Sequence, residues 1–211
     1  MKKITIALIM VISLIAPIQT MAESVTQNGT IIEPLEQNIE QIIDEITSEP
    51  RPINSDAIQN VKEYISKYFG NLGYDNIEYQ KFEYNDENNE NAIRHSSQAD
   101  VFLASTAENA IVDGIGENII VTKNSSIDTT KNLIISAHYD SAEDSVGAND
   151  NGSGVAAVLE LARILKDTEI PYNIKFILFS GEEKYMLGSR WYVGKLTEDE
   201  RKQIILSLIH I

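Results

Sequence analysis

The sequence predicts an α/β domain containing at least one parallel crossover. Three observations carry that expectation. Strand, loop, helix and strand follow one another in the second half of the chain. The strand candidates there are short β-branched runs of the kind that are buried on both faces. A hydrophobic content of 43% over 211 residues is enough for one substantial core.

In chain order, Met1-Lys2-Lys3 is a short basic start, Ile4 to Ile15 is almost wholly apolar, and Thr20-Met21-Ala22 offers a small-residue cleavage site. Residues 1–22 are therefore expected to be a secretory signal peptide cut after Ala22. The competing reading, a membrane anchor, needs a run of about 20 apolar residues, and this one is shorter. Residues 23–45 are polar and acidic with weak periodicity, and are expected to be a linker or propeptide-like lead-in. Ser55 caps a helix in which Ala57, Ile58, Val61, Tyr64, Ile65 and Tyr68 recur at helical spacing until Gly70. Ile77 to Tyr84 alternates as a half-buried strand does, and Asn85 to Asn91 reads as an acidic loop. Asn118 to Thr122 and Leu133 to Ala137 are buried strands. Gly152 to Lys166 is an amphipathic helix with Val155, Leu159, Ala162 and Leu165 on one face. Ile174 to Phe179 is another strand, Ser189 to Leu196 a helix, and Thr197 the N-cap of one more, with Glu198, Asp199 and Glu200 near its positive end.

Composition narrows the function. The net charge is −15, and −17 once residues 1–22 with their two lysines are removed. No basic run exists to neutralise phosphates, which argues against nucleic acid as a partner. There are no cysteines, so thiolate nucleophiles and cysteine-ligated zinc are excluded, and any metal must be held by carboxylates and the three histidines His95, His138 and His210.

Ligands of α/β sheets gather at the carboxyl ends of strands. Two loops begin there. One is His138-Tyr139-Asp140-Ser141, running on to Gly147-Ala148-Asn149-Asp150-Asn151-Gly152-Ser153-Gly154; the other is Ser180-Gly181-Glu182-Glu183. A two-metal hydrolase needs about three protein ligands per ion, a bridging carboxylate and a group to take a proton from water. His138 supplies a neutral nitrogen, and Asp140 lies on the same side to orient its imidazole. Asp150, in a glycine-rich loop, suits the bridge. Of the adjacent Glu182 and Glu183, one would bind metal and the other accept the proton.

These strings, in this order and spacing, resemble the co-catalytic zinc metallopeptidases of the bacterial leucyl aminopeptidase and aminopeptidase Y type. The resemblance implies a mixed, mostly parallel sheet sandwiched between helices, with residues 46–205 forming the N-terminal part of the peptidase domain. It implies two zinc ions, with His138 ligating one, Glu183 the other and Asp150 bridging. Glu182 becomes the general base and Asp140 the residue that orients His138. The reaction implied is hydrolysis of N-terminal peptide bonds in peptide or protein substrates. Where relatives often carry glycine two residues after the Glu pair, this chain has Tyr185, which either lines the substrate pocket or, the favoured reading, packs.

The resemblance implies two further ligands, an Asp on the next strand shortly after Ile205 and a distant His near the domain's end; neither is present, so the domain is expected to be incomplete at its C-terminus. Residues 206–211 can be encoded by CTGTCTCTTATACACATC, a transposase end used to prepare sequencing libraries. They are expected to be a non-native tail, and the short chain to be inactive and aggregation-prone. On the same fold, another exopeptidase or a glutaminyl cyclase is the alternative. Outside it stand a nucleotide-binding module opened by Gly152-Ser153-Gly154, a serine hydrolase lacking the Gly-x-Ser-x-Gly frame at Ser153, and a calcium-binding surface module.

Overall fold

The computed structural model describes residues 35–84 and 113–210, together with two short antiparallel strands, β1 (Thr26–Gln27) and β2 (Thr30–Ile31). The proposed signal segment, the acidic loop from Asn85 and His95 lie outside the described residues. The body is an α/β layer structure. Helices α1 (Glu36–Ile46) and α2 (Asp56–Asn71) lead into strands β3 (Ile77–Tyr84), β4 (Gly114–Lys123) and β5 (Asn132–His138). Helix α3 (Ser153–Leu165), strand β6 (Asn173–Phe179), helices α4 (Leu187–Lys195) and α5 (Glu198–Gln203), and strand β7 (Ile204–His210) complete it.

The strand order is β3-β4-β6-β5-β7. The β5/β6 and β5/β7 pairs are parallel, while β3/β4 and β4/β6 are antiparallel. The sheet is thus mixed, although its pairings divide evenly rather than favouring the parallel kind. A single reversed strand, β4, lies among four that share a direction.

Strict alternation sends each strand's side chains to two helical layers. Leu133, Ile135, Ala137, Ile119, Val121, Ile174, Phe176 and Leu178 face α1, α2 and α3. Ile120, Ile134, Ile177 and Phe179 face the other way, where Tyr192 of α4 packs edge-on to Phe179 at 5.9 Å. Leu187 and Trp191 of the same helix close over Phe82 and Tyr84.

The lead-in needs correction. The packed body starts at Glu36, not at residue 46, because Ile39, Ile42 and Ile46 bury one stripe of α1. Three isoleucines in an otherwise polar segment make a thin periodic signal, and the helix is held by packing on α3 rather than by propensity. Glu160, fully buried on α3, accepts the Leu35 N–H at 2.8 Å and is paired with Arg163 at 2.7 Å. This also corrects α3 itself. The sequence suggests an amphipathic helix, yet nearly all of it is buried, since α1 covers the side turned away from the sheet.

Helix α2 is capped as expected, with the Ser55 hydroxyl accepting from Ile58 N–H. Helix α5 opens on a capping box between Thr197 and Glu200. The proposed tail is drawn into β7, whose backbone runs parallel to β5 with His210 opposite Ala137. No helix among the described residues is long and apolar enough to cross a membrane.

Candidate functional site

Parallel pairing of β5 with β6 sets His138 beside Phe179, so the two motif loops leave the sheet side by side. Tyr139 N–H extends the ladder one step by donating to Phe179 C=O at 2.9 Å. The Tyr139 hydroxyl then reaches across to Glu117 C=O at 2.7 Å, tying the first loop to β4.

His138 is buried, and its two ring nitrogens have different neighbours. Nε2 lies 2.9 Å from Asp150 Oδ1 and 3.8 Å from Glu182 Oε2. Nδ1 faces Asp140, at 3.2 Å from its carbonyl oxygen and 3.5 Å from Oδ1. Asp140 is fully buried and has a second task that spacing alone did not suggest. Its Oδ1 accepts the Glu182 N–H and its Oδ2 the Glu183 N–H, each at 3.1 Å. One carboxylate thereby aligns the imidazole on its own loop and the Glu pair on the other.

Asp150 is reached by a sharp turn. Gly147 takes a left-handed conformation (φ 58°), and Gly152 N–H closes a wide turn onto Gly147 C=O at 2.8 Å. A side chain at position 147 would strike Asp150 C=O and Ser141, so glycine is required there. The Asp150 side chain is 63% exposed, and the Asp150–Asn151 peptide is cis.

Electrostatically, three carboxylates, Asp150, Asp140 and Glu182, come within 3.8 Å of the His138 ring nitrogens. Burial raises the proton affinity of both Glu182 and Glu183. Asp150 and Asp140 push both further up, and His138 partly offsets the rise. Burial alone would lower the His138 pKa, but it is outweighed by the hydrogen bond and charge of Asp140, by Glu182 and by Asp150, and the net shift is upward.

All five predicted residues, His138, Asp140, Asp150, Glu182 and Glu183, therefore converge at the ends of β5 and β6. Imidazole nitrogen with carboxylate oxygens is a donor set that fits a divalent metal of the zinc type. Among the described residues, no three such groups surround one point.

Tyr185 is exposed at 41% with a φ of +63°, and Met186 follows at 40% with a φ of +59°. The tip of the second loop needs two left-handed residues, and bulky side chains occupy both positions. Two residues that the sequence reading passed over also serve the site. Fully buried Arg51 lies behind the first loop, with burial lowering its pKa against the pull of Asp140, Asp150 and Glu183. Fully buried Asn118 of β4 accepts Ser180 N–H at 3.2 Å and donates to Gly188 C=O at 2.9 Å, gripping both ends of the second loop. A lone Asn in a β-branched strand was the available signal.

Comparison with known proteins agrees with this geometry. Residues 118–208 match the profile of Peptidase family M28. Over 95 residues the chain is 43% identical to Aminopeptidase YwaD of Bacillus subtilis, covering 44% of this chain and 21% of that protein. The chain thus spans about a fifth of the length of that curated relative. Among solved structures, a zinc aminopeptidase from Bacillus subtilis superposes with a TM-score of 0.66 at 18% identity, covering 82% of this chain and 68% of that one. An Acidobacteriales bacterium glutaminyl cyclase superposes with a TM-score of 0.56 at 16% identity, covering 87% and 61%. The fold is shared by both. Over residues 118–208, which include both strand-end loops that carry the motif residues, the chain is similar to Peptidase family M28.

Proposed function

We propose that the protein is a secreted, zinc-dependent aminopeptidase that hydrolyses N-terminal peptide bonds of peptides or proteins. The observation that carries this reading is the approach of His138 Nε2 to Asp150 Oδ1 at 2.9 Å, with Glu182 Oε2 3.8 Å from the same nitrogen. His138 would hold one zinc, Glu183 the second, and Asp150 both. When bound, the ions supply Lewis acidity and lower the pKa of water. Glu182 is the general base, and its raised proton affinity suits a group that takes a proton near neutral pH and returns it to the leaving amine. Asp140 keeps Nε2 of His138 turned toward the site and holds the Glu182 and Glu183 backbone in register. Export would follow cleavage after Ala22, which mass analysis of the mature N-terminus tests.

Glu182→Gln in the purified, zinc-loaded full-length enzyme is expected to lower kcat by about 10²- to 10⁴-fold with zinc content unchanged. Unaltered turnover would remove Glu182 from the role of base. The glutaminyl cyclase likeness supports one second reading, since that fold is shared. Ammonia release from an N-terminal glutaminyl peptide, without liberation of a free amino acid, would favour it. Calcium in place of zinc in the isolated protein would favour a binding module instead.

A further inference from the structure

We propose that Arg51 is a positioning residue for the metal site, setting the loop that joins His138 to Asp150. The inference rests on the proposed metal reading and extends it to a residue outside the motif. Arg51 sits between Pro50 and Pro52, so both neighbours have a fixed φ and Arg51 itself is restricted to extended backbone. That rigid strap aims a fully buried guanidinium into the concave side of the first loop. Its Nε donates to Tyr139 C=O at 2.7 Å, one terminal nitrogen to Val146 C=O, and the other to Gly147 C=O at 3.0 Å. The main chain joins in: Arg51 N–H donates to Ser141 Oγ at 2.9 Å and Arg51 C=O accepts Ser141 N–H at 3.3 Å.

The loop from Tyr139 to Gly147 is thus wound around one planar cation. Its two ends are the residue after His138 and the glycine whose turn presents Asp150. None of these partners is a carboxylate, so the buried charge is spent on carbonyl oxygens rather than on an ion pair. A planar fork of N–H groups can hold three carbonyls in one geometry, and a lysine ammonium in its place cannot. Two residues on, Ile53 of the same strap packs with Leu187 and occupies the space a side chain on Gly181 would need. One strap therefore touches both site loops, with Arg51 as the key on the histidine side.

The test compares Arg51→Lys, which keeps the charge and loses the fork, with Glu160→Gln, a change at a fully buried charge far along α3. Zinc affinity is read by competition with a chelating dye at a temperature well below every Tm. Amide exchange is read on the metal-free proteins. Arg51→Lys is expected to weaken zinc binding about 10- to 100-fold and to release the Ser141 and Gly152 amides while Leu187 and Gly188 stay protected. Glu160→Gln is expected to lower Tm without either effect. Should Arg51→Lys not fold, Ser141→Ala removes one strap contact and is expected to show the same pattern, several-fold in affinity. Wild-type zinc affinity in Arg51→Lys, a uniform rise in exchange across both loops, or equal zinc loss in Glu160→Gln would overturn the proposal. If the wild type bound no zinc, the metal reading would fall, and the exchange pattern would still decide the role of Arg51.

Discussion

The two loops that build the site are held by opposite means. The first, after β5, is wound on a buried cation and turns through a glycine, so Arg51 and Gly147 set its shape. The second, after β6, is held by a neutral amide, Asn118, and by three nested backbone bonds from Met186 to Glu182, Leu187 to Gly181 and Gly188 to Ser180. At its tip, Tyr185 and Met186 occupy left-handed conformations that cost non-glycine residues roughly 1–3 kcal/mol each. Asp140 is the link between the loops. The left-handed non-glycine residues of the two site loops thus lie in the loop bearing the Glu pair, while the left-handed turn of the loop bearing His138 falls on a glycine.

Breaking the link should have the largest effect. Asp140→Ala removes the acceptor of two backbone N–H groups, and leaving such groups unpaired costs about 1–3 kcal/mol each. A loss of about 2–5 kcal/mol in urea unfolding is expected, with zinc affinity falling as the imidazole loses its orienting partner. A stability unchanged by this substitution would show that the loops are independent.

Loosening only the strained half should cost less. Asn118→Ala strips support from Ser180 and Gly188, for an expected loss of about 1–3 kcal/mol with the Gly147 turn still protected from exchange. If that turn opened too, the division into separately braced halves would be wrong.

The pH response is expected to be smaller, because Glu182 and Glu183 are partly exposed and screened. Glu182, Glu183 and His138 all bind protons more readily in the folded, metal-free site than when unfolded. Their contribution is present below the unfolded pKa values and is lost as pH rises through the folded ones. For the carboxylates that window opens just above 4.5, and for His138 just above 6.5. Metal-free protein should accordingly melt higher at mildly acidic pH than at pH 8. Bound zinc, which needs the deprotonated forms, should reverse the trend. A metal-free melting temperature that rises with pH across this range would contradict the assignment.

The smallest effect is expected from Tyr185→Gly. Relief of the left-handed strain should outweigh the entropy glycine adds to the unfolded chain, raising stability by up to ~1 kcal/mol. A lowered Tm would show that the exposed ring contributes packing after all.

Most of the site was legible along the chain because its five residues fall in two short strings at strand ends, where extended backbone and glycine turns leave a recognisable order. Helix α1 was not, since three isoleucines among acids, Ile39, Ile42 and Ile46, acquire meaning only when α3 lies beneath them. Its absence from the reading also made α3 look one-sided.

Sequence by itself determined the α/β order of elements and the two motif loops, because periodicity and turn chemistry are local properties. Tertiary structure decided how many faces of α3 are buried, which way β4 runs, that Asp140 binds both loops, and that Arg51 lies behind Asp150. These are contacts between residues up to 125 positions apart, and hydrogen-bond geometry across such separations exists only once the chain has packed.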